Sequence, residues 1–109
     1  MANINITGQG TFAANNFTVP DPTINVSTVT FHSAGQSCKV CFGNSNTFGV
    51  SSFTVNTGSP QSLTLKAVEN TGFSVVGQND NCPAGRIIDT NYNITMGGGM
   101  GEGKSTGKK

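Results

Sequence analysis

The feature that most constrains the fold is a period of two in the apolar residues, repeated along the chain. In runs such as Leu63-Thr64-Leu65 and Tyr92-Asn93-Ile94, apolar residues alternate with polar ones. Successive side chains of a β-strand point to opposite faces of a sheet, so this spacing predicts strands with one buried face. No stretch sustains the 3.6-residue period of an amphipathic helix. The sequence therefore predicts an all-β protein.

Turn-forming residues separate these apolar runs. Gly43-Asn44, Thr57-Gly58-Ser59-Pro60 and Asn70-Thr71-Gly72 are examples, and each contains residues that suit tight turns. About seven to nine short strands at this spacing are typical of a sandwich or a small barrel. We therefore predict an antiparallel Greek-key β-sandwich over residues 1–96. A flexible Gly-rich tail is expected over residues 97–109.

The alternation also predicts which side chains form the core. The parity changes between Ile24-Val26 and Val29-Phe31, which indicates a β-bulge near Ser27-Thr28. The residues expected to point inward are Ile4, Ile24, Val26, Val29, Phe31, Val40, Phe42, Phe53, Val55, Leu63, Leu65, Phe73, Val75, Ile94 and Met96.

Charge is scarce in this chain. Charged residues make up 10% of the sequence and the net charge is +1, whereas about 25% is usual in soluble domains. A surface with so little charge does not indicate a nucleic-acid partner, and near-zero net charge favours association. We therefore expect a non-enzymatic structural or protein-interaction domain, self-associating or bound to a protein partner, at a cell surface or in an assembly.

The chain carries no recognisable targeting segment. No stretch approaches the roughly 18–20 apolar residues that a membrane span needs. Residues 1–5 lack the basic start and apolar centre of a signal peptide. The composition nevertheless favours an extracellular or assembly-associated location, which would make this a mature domain with an added Met1. The alternative is a cytosolic protein.

Three cysteines offer candidate chemistry. Cys38 and Cys41 have the C-x-x-C spacing of redox and zinc sites, but their strand setting places Cys38 toward the core and Cys41 outward. They should therefore not bridge each other. In an oxidising compartment we expect one bridge from Cys82, to Cys41 or Cys38, with Cys41–Cys82 as the candidate pair. The alternative function is a thiol-redox or metal-binding protein that uses Cys38, Cys41 and Cys82.

The remaining polar residues do not suggest an active site. His32 is the only histidine, and no nucleophile or orienting carboxylate is indicated beside it. We expect a surface histidine, no metal site and no cofactor. The segment Asn79-Asp80-Asn81 has one carboxylate among amides, which favours a turn over a calcium site.

The end of the chain contains a nucleotide-binding pattern. Residues 98–105 match the phosphate-loop motif G-x-x-x-x-G-K-[ST], with Lys104 and Ser105 at its end. Such a loop holds phosphate at the N-terminus of a helix. Only four residues follow Ser105, too few for a stable helix. Nucleotide binding through this tail is the second alternative function, and we favour a mobile tail.

Several strand-like segments resemble those of cupredoxins, a family of copper-binding β-sandwiches. They are Thr28-Val29-Thr30-Phe31, Phe48-Gly49, Phe53-Thr54-Val55 with Gly58, Leu63-Thr64-Leu65 and residues 72–76, followed by Cys82 at the place of the ligand cysteine. The resemblance covers residues 22–96, and the same motifs recur in immunoglobulin-like sandwiches. It implies a sandwich fold. Blue copper needs two histidines and a cysteine, and no histidine follows Cys82, so the resemblance does not imply copper binding or electron transfer.

Overall fold

The computed structural model describes residues 2–8, 11–83 and 92–97, and within these residues the chain forms β-strands and no helix. The predicted all-β class is confirmed. The phosphate-loop match and almost all of the predicted tail lie outside the described residues. The strands are β1 (Ala2–Ile6), β2 (Phe17–Val19), β3 (Thr28–Ser33), β4 (Cys38–Phe42), β5 (Ser52–Val55), β6 (Gln61–Thr64), β7 (Thr71–Gly77) and β8 (Tyr92–Met96).

The strands form two sheets, and both sheets are mixed. One sheet has the order β1-β3-β6 and the other the order β2-β8-β7-β4-β5. The prediction of a purely antiparallel arrangement is wrong, because β1 pairs parallel to β3 and β2 pairs parallel to β8. The chain passes through β2 in the other sheet between β1 and β3, which provides the long connection that a parallel pair requires.

The core lies between the two sheets and is built around Phe31. Its ring makes edge contacts with Phe42, Phe53 and Phe73 of the five-stranded sheet, at centroid distances of 6.1, 4.9 and 6.1 Å. Most of the predicted core is confirmed. The buried members are Ile4, Val29, Phe31, Val40, Phe42, Val55, Leu65, Phe73 and Ile94, and Phe53, Leu63, Val75 and Met96 are partly buried against them.

Two of the predicted core residues are exposed. Ile24 is 47% and Val26 is 73% exposed, because residues 24–26 form a turn rather than a strand. Asn25 has a φ of 65°, which lies in the left-handed region and cannot continue a strand. The predicted bulge near Ser27-Thr28 is therefore replaced by this turn, and β3 begins at Thr28.

Cys41 was expected to point outward, and it is fully buried. It alternates along β4 with Val40 and Phe42, so its side chain lies on the face of the sheet opposite the core. The segment that follows β7 contributes Cys82, which is bonded to Cys41. Ser74, which pairs with Cys41 in the register of β4 and β7, is also buried. The segment containing Cys82 thus covers part of the outer face.

Candidate functional site

The turn that carries Ile24 and Val26 is held by main-chain and side-chain hydrogen bonds. The Ser27 hydroxyl accepts a bond from the Thr23 amide (2.7 Å) and donates to the Asp21 carbonyl (3.2 Å). The Ser27 amide donates to the Thr23 carbonyl at 2.8 Å. These bonds hold two exposed aliphatic side chains in one backbone conformation.

The turn is also attached to the three-stranded sheet. The Asn25 amide donates to the Leu65 carbonyl, and the Leu65 amide donates to the Ser27 carbonyl, both at 2.9 Å. Leu65 is itself fully buried in the core. The turn is therefore anchored at the residue that follows β6, and this residue cannot move without disturbing the core.

A groove of about 320 Å³ lies beside this turn. One wall is β2 with the two residues after it, and the other wall is the start of β3. The chain runs from Asp21 through the turn to Ser27, so the turn joins the two walls. The apolar part of the lining comes from Phe17, Val19 and Pro20. The full lining is Phe17, Thr18, Val19, Pro20, Asp21, Ser27 and Thr28.

The cysteines are divided between a bridge and a buried thiol. Cys41 and Cys82 form a disulfide with their Cα atoms 5.7 Å apart, which confirms the candidate pair. Cys38 is a free and fully buried cysteine, as its position in the alternation predicted. Burial raises the pKa of the Cys38 thiol, and a hydrogen bond with Ser33 opposes this to a smaller extent. A raised pKa lowers the thiolate fraction, and with it the nucleophilicity, at neutral pH.

His32 lies on β3 of the three-stranded sheet and is half-buried. Its Nε2 atom donates to the side-chain oxygen of Asn3 on the neighbouring strand β1, at 3.0 Å. A second, smaller cavity of about 120 Å³ lies between His32, Ser33 and the turn at residues 58–60. The described partner of the histidine is thus an amide.

Two of the described carboxylates, those of Asp80 and Glu69, accept hydrogen bonds from neutral N–H groups. Asp80 Oδ2 accepts a bond from the Gly77 amide at 3.1 Å, and the Asp80 carbonyl accepts one from Lys39 Nζ at 2.7 Å. Glu69 accepts from the Asn44 side-chain amide at 3.0 Å. Among the residues that the structure describes, no group of three His, Cys, Asp or Glu side chains could hold a metal ion.

Comparisons with protein-family models, with curated proteins and with solved structures found no match to this chain. The described part of the chain also contains no helix that is long and apolar enough to cross a membrane. The candidate functional site is the turn that exposes Ile24 and Val26, with the groove beside it. Sequence reasoning missed it because Ile24 and Val26 have the alternation of a strand. The nearest signal was Pro20-Asp21-Pro22, which interrupts the strands just before them.

Proposed function

We propose that this chain is a non-enzymatic protein-interaction or structural domain, and that residues Ile24 and Val26 are part of its contact surface. The observation that carries the proposal is the 73% exposure of Val26 in a turn held by hydrogen bonds. Single exposed apolar residues are common, but Ile24 and Val26 lie two positions apart in one turn whose flanking residues, Asp21 and Ser27, line a groove with apolar side chains. The fixed turn reduces the conformational entropy that a partner must overcome.

The chemistry of this surface favours an apolar segment of a partner protein. Such a segment could insert a side chain between β2 and β3 and cover Ile24 and Val26. Complete burial of an aliphatic side chain is worth roughly 1.5–3 kcal/mol. Since 47% of Ile24 and 73% of Val26 are exposed, part of this energy is still available to a partner.

The disulfide supports a location in an oxidising compartment. Bridges such as Cys41–Cys82 persist outside the cytosol, in secreted or surface proteins. The low content of charged residues also suits an extracellular or assembly-associated domain. We therefore place the proposed interaction at a cell surface, outside the cell or in an assembly there.

We further propose that the two sheets form a Greek-key sandwich of the cupredoxin type without its copper site. Packing of the two sheets about Phe31 supports the sandwich architecture. The cysteine at the ligand position of the resemblance, Cys82, has its sulfur in the bridge to Cys41. A disulfide sulfur cannot act as the thiolate ligand of copper.

The experiment that tests the proposed function compares three forms of the full chain. They are the wild type, the double variant Ile24→Asp/Val26→Asp, and a control, Ser45→Asp/Gln78→Asp, which adds the same charge at exposed positions of other turns. Each form is immobilised and exposed to a membrane and secreted-protein fraction of the source cells. Bound proteins are quantified by mass spectrometry. Circular dichroism and melting verify that all three forms are folded.

We expect the wild type and the control to retain the same partner, and the Ile24→Asp/Val26→Asp variant to retain at least ten-fold less of it. That loss corresponds to about 1.4 kcal/mol. Equal retention by all three forms would show that the turn is not the contact surface. Absence of a specific partner for the wild type, together with a wild type that does not self-associate, would contradict the proposed function itself.

A further inference from the structure

Strand β5 lies at the edge of the five-stranded sheet, and one side of its backbone is unpaired within the described residues. Its partner is β4, in antiparallel register. The Phe42 amide donates to the Ser51 carbonyl at 2.9 Å, so Ser51, Phe53 and Val55 direct their backbone groups toward β4. Because backbone groups alternate in an antiparallel ladder, the N–H and C=O groups of Ser52 and Thr54 point to the side of β5 that is opposite β4.

The edge of β5 lacks the features that protect the other edges of the sandwich. On β1, the Asn5 amide donates to the Asn15 side chain at 2.9 Å. Strand β2 is three residues long and is followed by Pro20, and β6 is preceded by Pro60. Strand β5 has no proline next to either end, since Ser51 precedes it and Asn56 follows it, and it contains no charged residue. Unprotected edges of this kind act as templates for pairing with another strand.

We propose that two copies of this chain associate by antiparallel pairing of their β5 strands about a two-fold axis at Phe53. In this register Ser52 of each copy faces Thr54 of the other. Their outward N–H and C=O groups then bond reciprocally, and the two sheets become one continuous sheet. The proposal goes beyond the proposed function, because it names a second copy as the partner of a different surface, the edge of β5.

The position of Phe53 favours this register. Its ring packs on Phe31 at 4.9 Å and on Phe42 at 5.8 Å, so it lies on the core face of β5. It is only partly buried, and among the strands that the structure describes none lies on the outer side of β5. With the axis at Phe53, the two Phe53 residues form a non-hydrogen-bonded pair, whose Cα atoms are about 4.5 Å apart. The aromatic cluster of one copy then continues into the other.

Electrostatics also permit a second copy as the partner. The net charge is +1, so two copies repel each other only weakly. Among the described residues, the cation on the outer face of β4 is Lys39, which pairs with Thr54 across β4 and β5. The two Lys39 residues would be three strand spacings apart, about 14 Å, which exceeds the Debye length of about 8 Å at physiological salt. On the same face Ser52 and Thr54 form cross-strand hydroxyl pairs.

The first test is the oligomeric state of the full chain with matched proline variants. Thr54→Pro removes an outward N–H that β4 does not use. Thr64→Pro makes the same change on β6, where Thr64 also directs its N–H outward in the register with β3. Proline is tolerated at such edge positions. Sedimentation equilibrium should give a concentration-dependent dimer for the wild type and Thr64→Pro, and at least ten-fold weaker association for Thr54→Pro.

A second measurement needs no variant and keeps the proposal testable if Thr54→Pro fails to fold. Amide exchange of Ser52 and Thr54 should slow at least ten-fold between dilute and concentrated wild-type protein. Mixed isotope-labelled dimers should show a contact between the Hα atoms of the two Phe53 residues. A wild type that stays monomeric, concentration-independent exchange at Ser52 and Thr54, or equal association of both proline variants would each overturn the proposal.

The two proposals can fail separately, because they use different surfaces. Ile24→Asp/Val26→Asp should leave dimerisation unchanged, and Thr54→Pro should leave capture of the apolar-turn partner unchanged. Loss of dimerisation in Ile24→Asp/Val26→Asp, with dimerisation retained in Thr54→Pro, would instead indicate that copies associate through the turn at residues 24–26. That result would overturn the β5 register while supporting a role for the turn.

Discussion

Cys41 on β4 and Cys82 beyond β7 are bonded to each other on the face of the five-stranded sheet that points away from the core. The bridge holds the segment after β7 over a buried patch that includes Ser74. Lys39 supports the same segment, because its Nζ donates to the Asp80 carbonyl at 2.7 Å. The domain therefore has a second buried region outside the core between the sheets, and the Cys41–Cys82 bond and the Lys39 contact both hold it.

Removal of the bridge should destabilise the domain strongly. The two cysteines are 41 positions apart, and the entropy of an unfolded chain closed by a loop of this length predicts a loss of about 4 kcal/mol. We expect this loss for Cys41→Ala/Cys82→Ala in urea unfolding. The wild type unfolded in the presence of dithiothreitol should behave like the variant. A loss below about 1 kcal/mol would show that the segment after β7 stays in place without the bond.

Cys38 should make the stability fall at alkaline pH. Burial raises the pKa of its thiol in the folded state, whereas an unfolded thiol titrates near 8.5. The folded state therefore gains stability by keeping this thiol protonated. This gain is complete below about pH 8.5, and it is lost as the pH rises through the higher pKa of the folded state. The stability difference between the wild type and Cys38→Ala should shrink by up to about 1.4 kcal/mol per pH unit in this range. Urea unfolding of both forms at pH 7 and at alkaline pH measures this difference. Incubation is kept brief, because the Cys38 thiolate can exchange with the Cys41–Cys82 disulfide.

A stability difference between these two forms that is constant with pH would contradict a raised pKa for Cys38. Native-state alkylation provides an independent check. The buried thiol should react with iodoacetamide at least ten-fold more slowly than Cys38 in urea-unfolded protein at the same pH.

Phe31 should be the costliest aromatic residue to truncate. It touches three other rings across the two sheets, so Phe31→Ala leaves a cavity that both sheets line. We expect a loss of about 3–5 kcal/mol in the free energy of unfolding. Phe12, which is only partly buried against the core, offers a matched Phe→Ala control and should lose clearly less. Equal losses at the two positions would contradict the central role of Phe31.

Asn25 should tolerate glycine and resist a β-branched residue. Its φ of 65° disfavours an ordinary side chain by about 1–2 kcal/mol, and glycine has no such penalty. Asn25→Val should therefore lower the melting temperature, and Asn25→Gly should change it little. A valine variant as stable as the wild type would show that this backbone conformation is not required for the turn.

The period of two was enough to predict strands at most of their positions and to predict which face of each is buried. Val29, Phe31, Val40 and Phe73 are examples, since their burial follows from alternation over a few neighbouring residues. The same signal was misleading at Ile24 and Val26. There, hydrogen bonds with Leu65, which is distant along the chain, and with Ser27 favour a turn over a strand.

The candidate site and the proposed pairing surface were beyond what the sequence could predict. Alternation is a local property, because it depends on how adjacent side chains point along one strand. The order of the strands, the parallel pairing of β1 with β3 and of β2 with β8, and the edge position of β5 depend on contacts between residues far apart in the chain. For the same reason the sequence by itself determined that Cys38 and Cys41 face opposite sides of β4, and only the tertiary structure decided that Cys41 is buried by the segment containing Cys82.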